Sequence, residues 1–162
     1  MGSRSKNLQN DLAYIAGFLD GDGSLMLQLK KRADSKVGWR FMCTICFYQD
    51  SRHEKPLHWM RTIFGIGYLS QRNDGITELR INGYRQVRDI LKLLLPFIRF
   101  KEKQARALYS AADFLAQKPM ARFTVKDRKQ LLDWILTIQS NNYKSHSRKT
   151  KKMLQKVLDL TP

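Results

Sequence analysis

Asp20 and Asp22 flank a glycine in Asp20-Gly21-Asp22-Gly23, at the point where an apolar helical pattern gives way to an alternating one. Carboxylates and flexible backbone carbonyls at such a junction form a set of hard oxygen donors, which suits a divalent cation and octahedral magnesium in particular. Aspartate and glycine are also ordinary turn formers, so the residue types alone leave a decorated turn open as a second reading. Just upstream, Ala13, Gly17 and Gly21 recur at every fourth position. That spacing lines small side chains along one helical face and lets a second backbone come close.

Other constellations that could do chemistry are weaker. Cys43 and Cys46 spell a Cys-x-x-Cys, but they lie in an alternating run, where positions three apart point to opposite faces. The expectation is one core thiol and one surface thiol, with no shared zinc. Asp74, Glu78 and Arg80 resemble a restriction-type carboxylate set only loosely, with arginine where lysine belongs, and His53 and His58 lack the flanking pattern of a ββα-metal nuclease. No glycine-rich loop followed by Lys-Ser/Thr occurs, so no nucleotide cofactor is expected.

The elements that must position the aspartates follow from periodicity. Leu12, Ile15 and Leu19 share one stripe of a helix expected over 11–20, and Leu25, Leu27 and Leu29 alternate with Met26, Gln28 and Lys30 in a strand expected over 24–32. A second strand over 40–49 turns Phe41, Cys43, Ile45 and Phe47 inward and Arg40, Met42, Thr44, Cys46 and Tyr48 outward. A helix over 54–64 stops at Gly65, and strands over 68–72 and 76–82 form a second hairpin across the Asp74-Gly75 turn signal. Helices over 86–95, 101–117, 124–139 and a basic tail helix over 147–160 complete the order. The fold class is therefore α+β, with an α-β-β-α-β-β-α core, one four-stranded antiparallel sheet under helices, and further C-terminal helices. Residues 1–10 read as a tail or an expression scar, and 11–162 as a single domain.

The outer face of that sheet has an unusual composition. Gln28, Lys30, Arg32, Arg40, Ser70, Arg72, Glu78 and Arg80, together with Met42, Thr44 and Cys46, give a face rich in long hydrogen-bond donors, where a merely solvated face would balance lysine with glutamate. Arginine and glutamine pair bidentately with guanine and adenine edges, and a β-ribbon fits the major groove. The whole chain agrees: 30 Lys and Arg against 14 Asp and Glu give a net charge of +16 over 162 residues. Such a density favours a polyanionic partner, and the spread of basic residues over several segments points to nucleic acid rather than a membrane surface. With 43% hydrophobic residues and two cysteines, the chain reads as a globular protein in a reducing, intracellular setting, either organellar or prokaryotic.

The segment from Ile15 to Gly23 resembles the LAGLIDADG signature of homing endonucleases: Ala16, Gly17, Asp20, Asp22 and Gly23 match, Phe18 and Leu19 keep the apolar positions, and Gly21 replaces an alanine. The order of helices and hairpins extends the resemblance over nearly the whole chain. It implies a magnesium-dependent endonuclease, encoded within an intron, that cuts double-stranded DNA as a homodimer at a near-palindromic site, with calcium supporting binding without cleavage. The motif helices of two copies would meet through Ala13, Ala16, Gly17 and Asp20, and Asp22 with the Gly21 carbonyl would hold the metals. Single-motif members carry a strand-end glutamine and a helix-start lysine in the same site, and Gln49 and Lys101 stand at those places, to orient the attacking water and to stabilise charge on the scissile phosphate. A loop after the last long helix touches the DNA backbone near the cut in the family, which points to Lys144, Arg148 and Lys149. An RNA-splicing maturase, or a catalytically silent DNA-binding protein on the same fold, is the competing expectation.

Overall fold

The helix that carries the motif runs from Gly2 to Asp22 (α1) in the computed structural model, which describes residues 2–33, 38–142 and 148–160. It starts well before the position expected near residue 11. Residues 6–10 are exposed, so burial does not hold them in the helix. Lys6, Leu8 and Gln9 are good helix formers with no proline among them, and intrinsic propensity extends the helix where apolar periodicity gives no signal.

Four strands follow the expected scheme: β1 (Gly23–Lys31), β2 (Trp39–Asp50), β3 (Tyr68–Gln71) and β4 (Ile76–Asn82). They form one antiparallel sheet in the order β1-β2-β4-β3, with Gly23 opposite Phe47, Lys31 opposite Trp39 and Ile45 opposite Ile81. The register puts Leu25, Leu27, Leu29, Cys43, Ile45, Phe47, Leu79 and Ile81 on one face, and all of them are buried. Burying a leucine, isoleucine or phenylalanine side chain contributes about 1.5–3 kcal/mol, so this face alone accounts for a large share of the driving force.

The helical layer consists of α2 (Lys55–Phe64), α3 (Tyr84–Leu94), α4 (Glu102–Gln117) and α5 (Val125–Asn141), with the short α6 (Lys151–Val157) closing the described chain. α1 packs on β2, α4 and α5 pack on β1, and α3 packs on α4. Gly65 ends α2 in the left-handed region at φ 67°, and Gly75 completes the β3–β4 turn at φ 79°, both conformations that favour glycine. Thr124 and Asp127 form a capping box at the start of α5. Among the described residues, no helix is long and apolar enough to cross a membrane.

Candidate functional site

At the end of α1 the chain must leave a helix whose last carbonyls lack intrahelical partners. Lys101, from the turn that opens α4, supplies them. Its Nζ donates to the carbonyls of Leu19 at 2.8 Å, Asp20 at 2.9 Å, Gly23 at 2.8 Å and Gly21 at 3.3 Å, and the residue is only 7% exposed. Burial pulls the ammonium below the usual lysine range, against the Asp20 and Asp22 carboxylates, which favour its charge.

Asp20 returns the connection. Its carboxylate accepts from the backbone N–H groups of Arg99 at 2.7 Å, Phe100 at 3.2 Å and Lys101 at 2.9 Å. The helix end and the start of α4 thus hold each other by a clasp, side chain to backbone in both directions. Gly23 sits too close to α1 for any side chain: a Cβ there would stand 2.8 Å from both the Leu19 Cα and the Leu19 carbonyl oxygen.

Asp22 is the last residue of α1 and exposed, and its carboxylate makes no hydrogen bond or ion pair among the described residues. Gln49 lies two residues beyond Phe47, which pairs with Gly23, so the register carries it past the start of β1 toward the α1 end. Its Oε1 accepts from the Asp50 N–H at 2.8 Å, leaving its amide N–H groups available. Among the described residues no three His, Cys, Asp or Glu side chains converge on a metal position. One chain offers the Asp22 carboxylate and the Gly21 carbonyl, and such hard oxygens fit magnesium, which takes one or two carboxylates and keeps several waters.

The outer face of the sheet differs in part from expectation. Lys30, Arg32, Arg40 and Arg72 are exposed, and Gln28, Met42, Ser70 and Arg80 are half-buried. Thr44 and Cys46 have no exposed surface and Glu78 only 8%. Thr44 Oγ1 donates to Asn82 at 2.7 Å, and the Arg80 guanidinium lies 3.0 Å from Glu78. Both thiols are therefore buried, which corrects the expectation of one at the surface: alternation sets the face, but on a two-sided sheet long neighbours cover a small residue on either side. Burial pushes Cys43 up to about 12 and raises Cys46 as well.

Ala16 is likewise fully buried within its own chain, so its side chain is not presented to a second copy. Gly17 and Gly21 border open space: a Cβ at either would meet nothing within 4 Å. Lys144 lies outside the described residues. Arg148 donates to the Asn142 carbonyl at 2.6 Å, and Asn142 Nδ2 donates to the Leu25 carbonyl of β1 at 3.2 Å.

A cleft of about 690 Å³ runs from Asp20 and Lys101 along β1, past Ser24 and Gln28, to Lys30 and Lys149. Ser24 and Tyr48 share a 3.0 Å hydrogen bond in it and were not singled out from sequence. Only the outward parity of Tyr48 signalled its place. The amides of Arg99 and Phe100 were also missed, since no pattern announces a backbone donor.

Comparison with known proteins supplies an independent line. The family model described as LAGLIDADG endonuclease matches residues 15–109. DNA endonuclease I-CreI of Chlamydomonas reinhardtii is 26% identical over 148 residues, 91% of this chain and 88% of that protein. DNA endonuclease I-CvuI of Chlorella vulgaris is 30% identical over 98 residues, and that alignment spans 60% of this chain and 61% of the relative. The crystal structure of I-CvuI in complex with its target in 2 mM Ca matches with a TM-score of 0.80 at 22% identity, covering 94% of this chain and 95% of that one. At that identity the structural likeness establishes the fold.

Proposed function

Because the chain belongs to the LAGLIDADG endonuclease family, we propose that it is a site-specific double-strand DNA endonuclease, hydrolysing phosphodiesters with magnesium held at Asp22 and acting as a homodimer on a long, near-palindromic site. The observation that carries this reading is the Asp22 carboxylate, exposed and without an ion pair among the described residues of a chain with net charge +16. This carboxylate ends a helix whose backbone is fixed by a buried lysine.

Magnesium bound by Asp22 and the Gly21 carbonyl would supply an activated water and charge neutralisation at the leaving oxygen. The chain's own residues set the geometry. Lys101 holds the carbonyls of the α1–β1 turn and so fixes where Asp22 points, while adding positive charge beside the site. Gln49 orients the attacking water through its amide N–H groups, since its Oε1 is already engaged. Lys30, Arg40 and Arg72 on the outer sheet face meet the DNA, with Gln28 reading base edges beside them. Thr44 and Cys46 support that face from beneath.

Dimerisation follows from there being one motif per chain and from the open stripe of Ala13, Gly17 and Gly21 on α1. Two copies packed along it would bring two Asp22 carboxylates to one axis. A duplex complex that sediments with one chain and still cuts both strands would overturn the dimer.

The decisive test uses a plasmid carrying the sequence into which the coding element inserts. Magnesium should support linearisation, and calcium should support binding alone. Asp22→Asn keeps the size of the side chain and removes its charge, so this variant should bind DNA in calcium and fail to cut in magnesium. Cutting by Asp22→Asn at the rate of the unmodified protein would remove the metal from Asp22.

A further inference from the structure

Ser24 Oγ and the Tyr48 phenol oxygen lie 3.0 Å apart in the cleft that also receives Asp20 and Lys101. Ser24 is the second residue after Asp22, and Tyr48 immediately precedes Gln49. The pair is therefore next in sequence to the residues assigned to the metal and to the attacking water. Ser24 lies opposite Cys46 in the β1–β2 ladder, and both hydroxyls share the outer sheet face with Gln28 and Lys30.

Each hydroxyl carries one proton, and the bond between them uses one of the two. Neither oxygen has another oxygen or nitrogen partner among the described residues, so one O–H proton is left to donate. The Cys46 thiol beside the phenol is kept protonated by burial and is a weak acceptor. Burial also raises Tyr48 above the ordinary tyrosine value, so its phenol stays protonated at neutral pH. The phenol is the more acidic hydroxyl and gives its proton to Ser24. Accepting that bond polarises the serine, which turns its own proton outward. The cleft suits a negatively charged acceptor. Lys30 and Lys149 line it, while Asp20, the one acid among its described lining residues, already accepts from three amides.

We propose that Ser24 donates a hydrogen bond to a non-bridging oxygen of the phosphate next to the one hydrolysed, and that Tyr48 is the positioning residue that orients it. The proposal rests on the endonuclease reading above and adds two residues to that site. The contact falls on the neighbouring phosphate because, in that reading, the reacting phosphate already faces the metal and Lys101. A neutral hydroxyl releases no counterion, so it fixes where the strand lies with little effect on the salt dependence of binding.

The test follows single-turnover cleavage in magnesium at saturating protein, and binding in calcium, on a duplex carrying the cleavage site. Ser24→Ala should slow cleavage about tenfold, weaken binding less than about threefold, and leave the salt slope unchanged. Tyr48→Phe keeps the ring and the serine hydroxyl but loses the orienting proton. It should slow cleavage about threefold and add nothing in the Ser24→Ala background. A methylphosphonate replaces one non-bridging oxygen by a methyl group, and its two diastereomers remove different oxygens. At one of the phosphates flanking the cut, the unmodified protein should cut one diastereomer about tenfold slower than the other, and Ser24→Ala should cut the two alike. That ratio is taken within a single protein, so a loss of folded material cancels from it.

A diastereomer preference that persists in Ser24→Ala would overturn the contact, as would full-rate cleavage by that variant. A Tyr48→Phe effect as large in the Ser24→Ala background as alone would take the positioning role from Tyr48. In each case cleavage by the unmodified protein leaves the endonuclease reading standing. An unmodified protein that cuts no duplex would instead remove that reading and this contact together.

Discussion

At the Gly23 end of β1, one ammonium is held by four carbonyls and one carboxylate by three amides, on residues that are each 7% exposed. At the Lys31 end, the ammoniums of Lys31 and Lys149 rest on the half-buried Trp39 indole, and Lys31 itself is exposed. The first arrangement fixes backbone atoms in place, because its bonds are directional and the two side chains that make them are nearly fully buried. The second fixes charge while leaving its direction loose. Hydrolysis at a metal-activated water requires atoms placed closely, whereas holding a phosphate chain requires charge along a path. The two ends of one strand thus differ in what they hold in place, backbone atoms at one and charge at the other.

The contrast breaks most clearly through Asp20. Asp20→Ala leaves the amides of Arg99, Phe100 and Lys101 without their acceptor in a turn of which Lys101 is buried, and should cost about 3 kcal/mol of stability, read as a lowering of Tm by roughly 6–12 °C. Lys101→Met keeps the length of the side chain and removes the ammonium, stranding the end of α1. It should cost about 2–3 kcal/mol and slow cleavage, while calcium-dependent DNA binding persists. A Lys101→Met protein as stable as its parent would show that water satisfies those carbonyls and that the clasp does not fix the turn.

On the sheet face the effect on stability should be far smaller. Arg72 lies 2.7 Å from Asp74 with both side chains about half exposed, so Arg72→Ala should change stability by less than about 0.5 kcal/mol. Its effect should instead be on which bases are preferred in a binding selection, and Gln28→Ala should behave in the same way. An unchanged sequence profile for both would take base readout away from this face.

A third kind of anchorage, the capping box of α5, sharpens the comparison through pH. Lys118 first, then the Thr124 amide and hydroxyl, hold the Asp127 carboxyl down to about 2, from an ordinary value of 3.8. A carboxyl depressed in the fold favours the folded state above its ordinary value and ceases to do so as pH falls through the depressed one. The difference in Tm between the unmodified protein and Asp127→Asn should therefore be constant from neutrality down to about pH 4, and should close as pH approaches about 2. A difference that persists in acid would assign the cap to shape rather than charge.

Local pattern made much of this legible. Alternation through β1 and β2 gave the inner face residue by residue, and the glycines after α2 and in the β3–β4 turn stand where the chain reverses. The motif located Asp22, because helix end, carboxylate and following strand are neighbours in sequence. The clasp was hidden for the opposite reason: Asp20 reaches amides 79 to 81 residues away, and no periodicity reports which distant turn will arrive. Lys101 was found by its position in the family pattern, but its engagement with carbonyls depends on the approach of α4. Cys46 and Thr44 show a further limit, since parity tells which way a side chain points and only packing tells whether a neighbour covers it.

The length of chain spanned by that clasp also orders events in time. A nascent chain that has completed α1 and both hairpins still lacks the ammonium and the amides that set the exit from the helix, because Arg99 to Lys101 emerge last among these parts. Domains complete their long-range contacts late, when loop closure is offset by packing. An interrupted or unravelled copy therefore carries Asp22 on an unformed turn, and in the proposed reading such fragments bind no metal productively and leave chromosomes uncut.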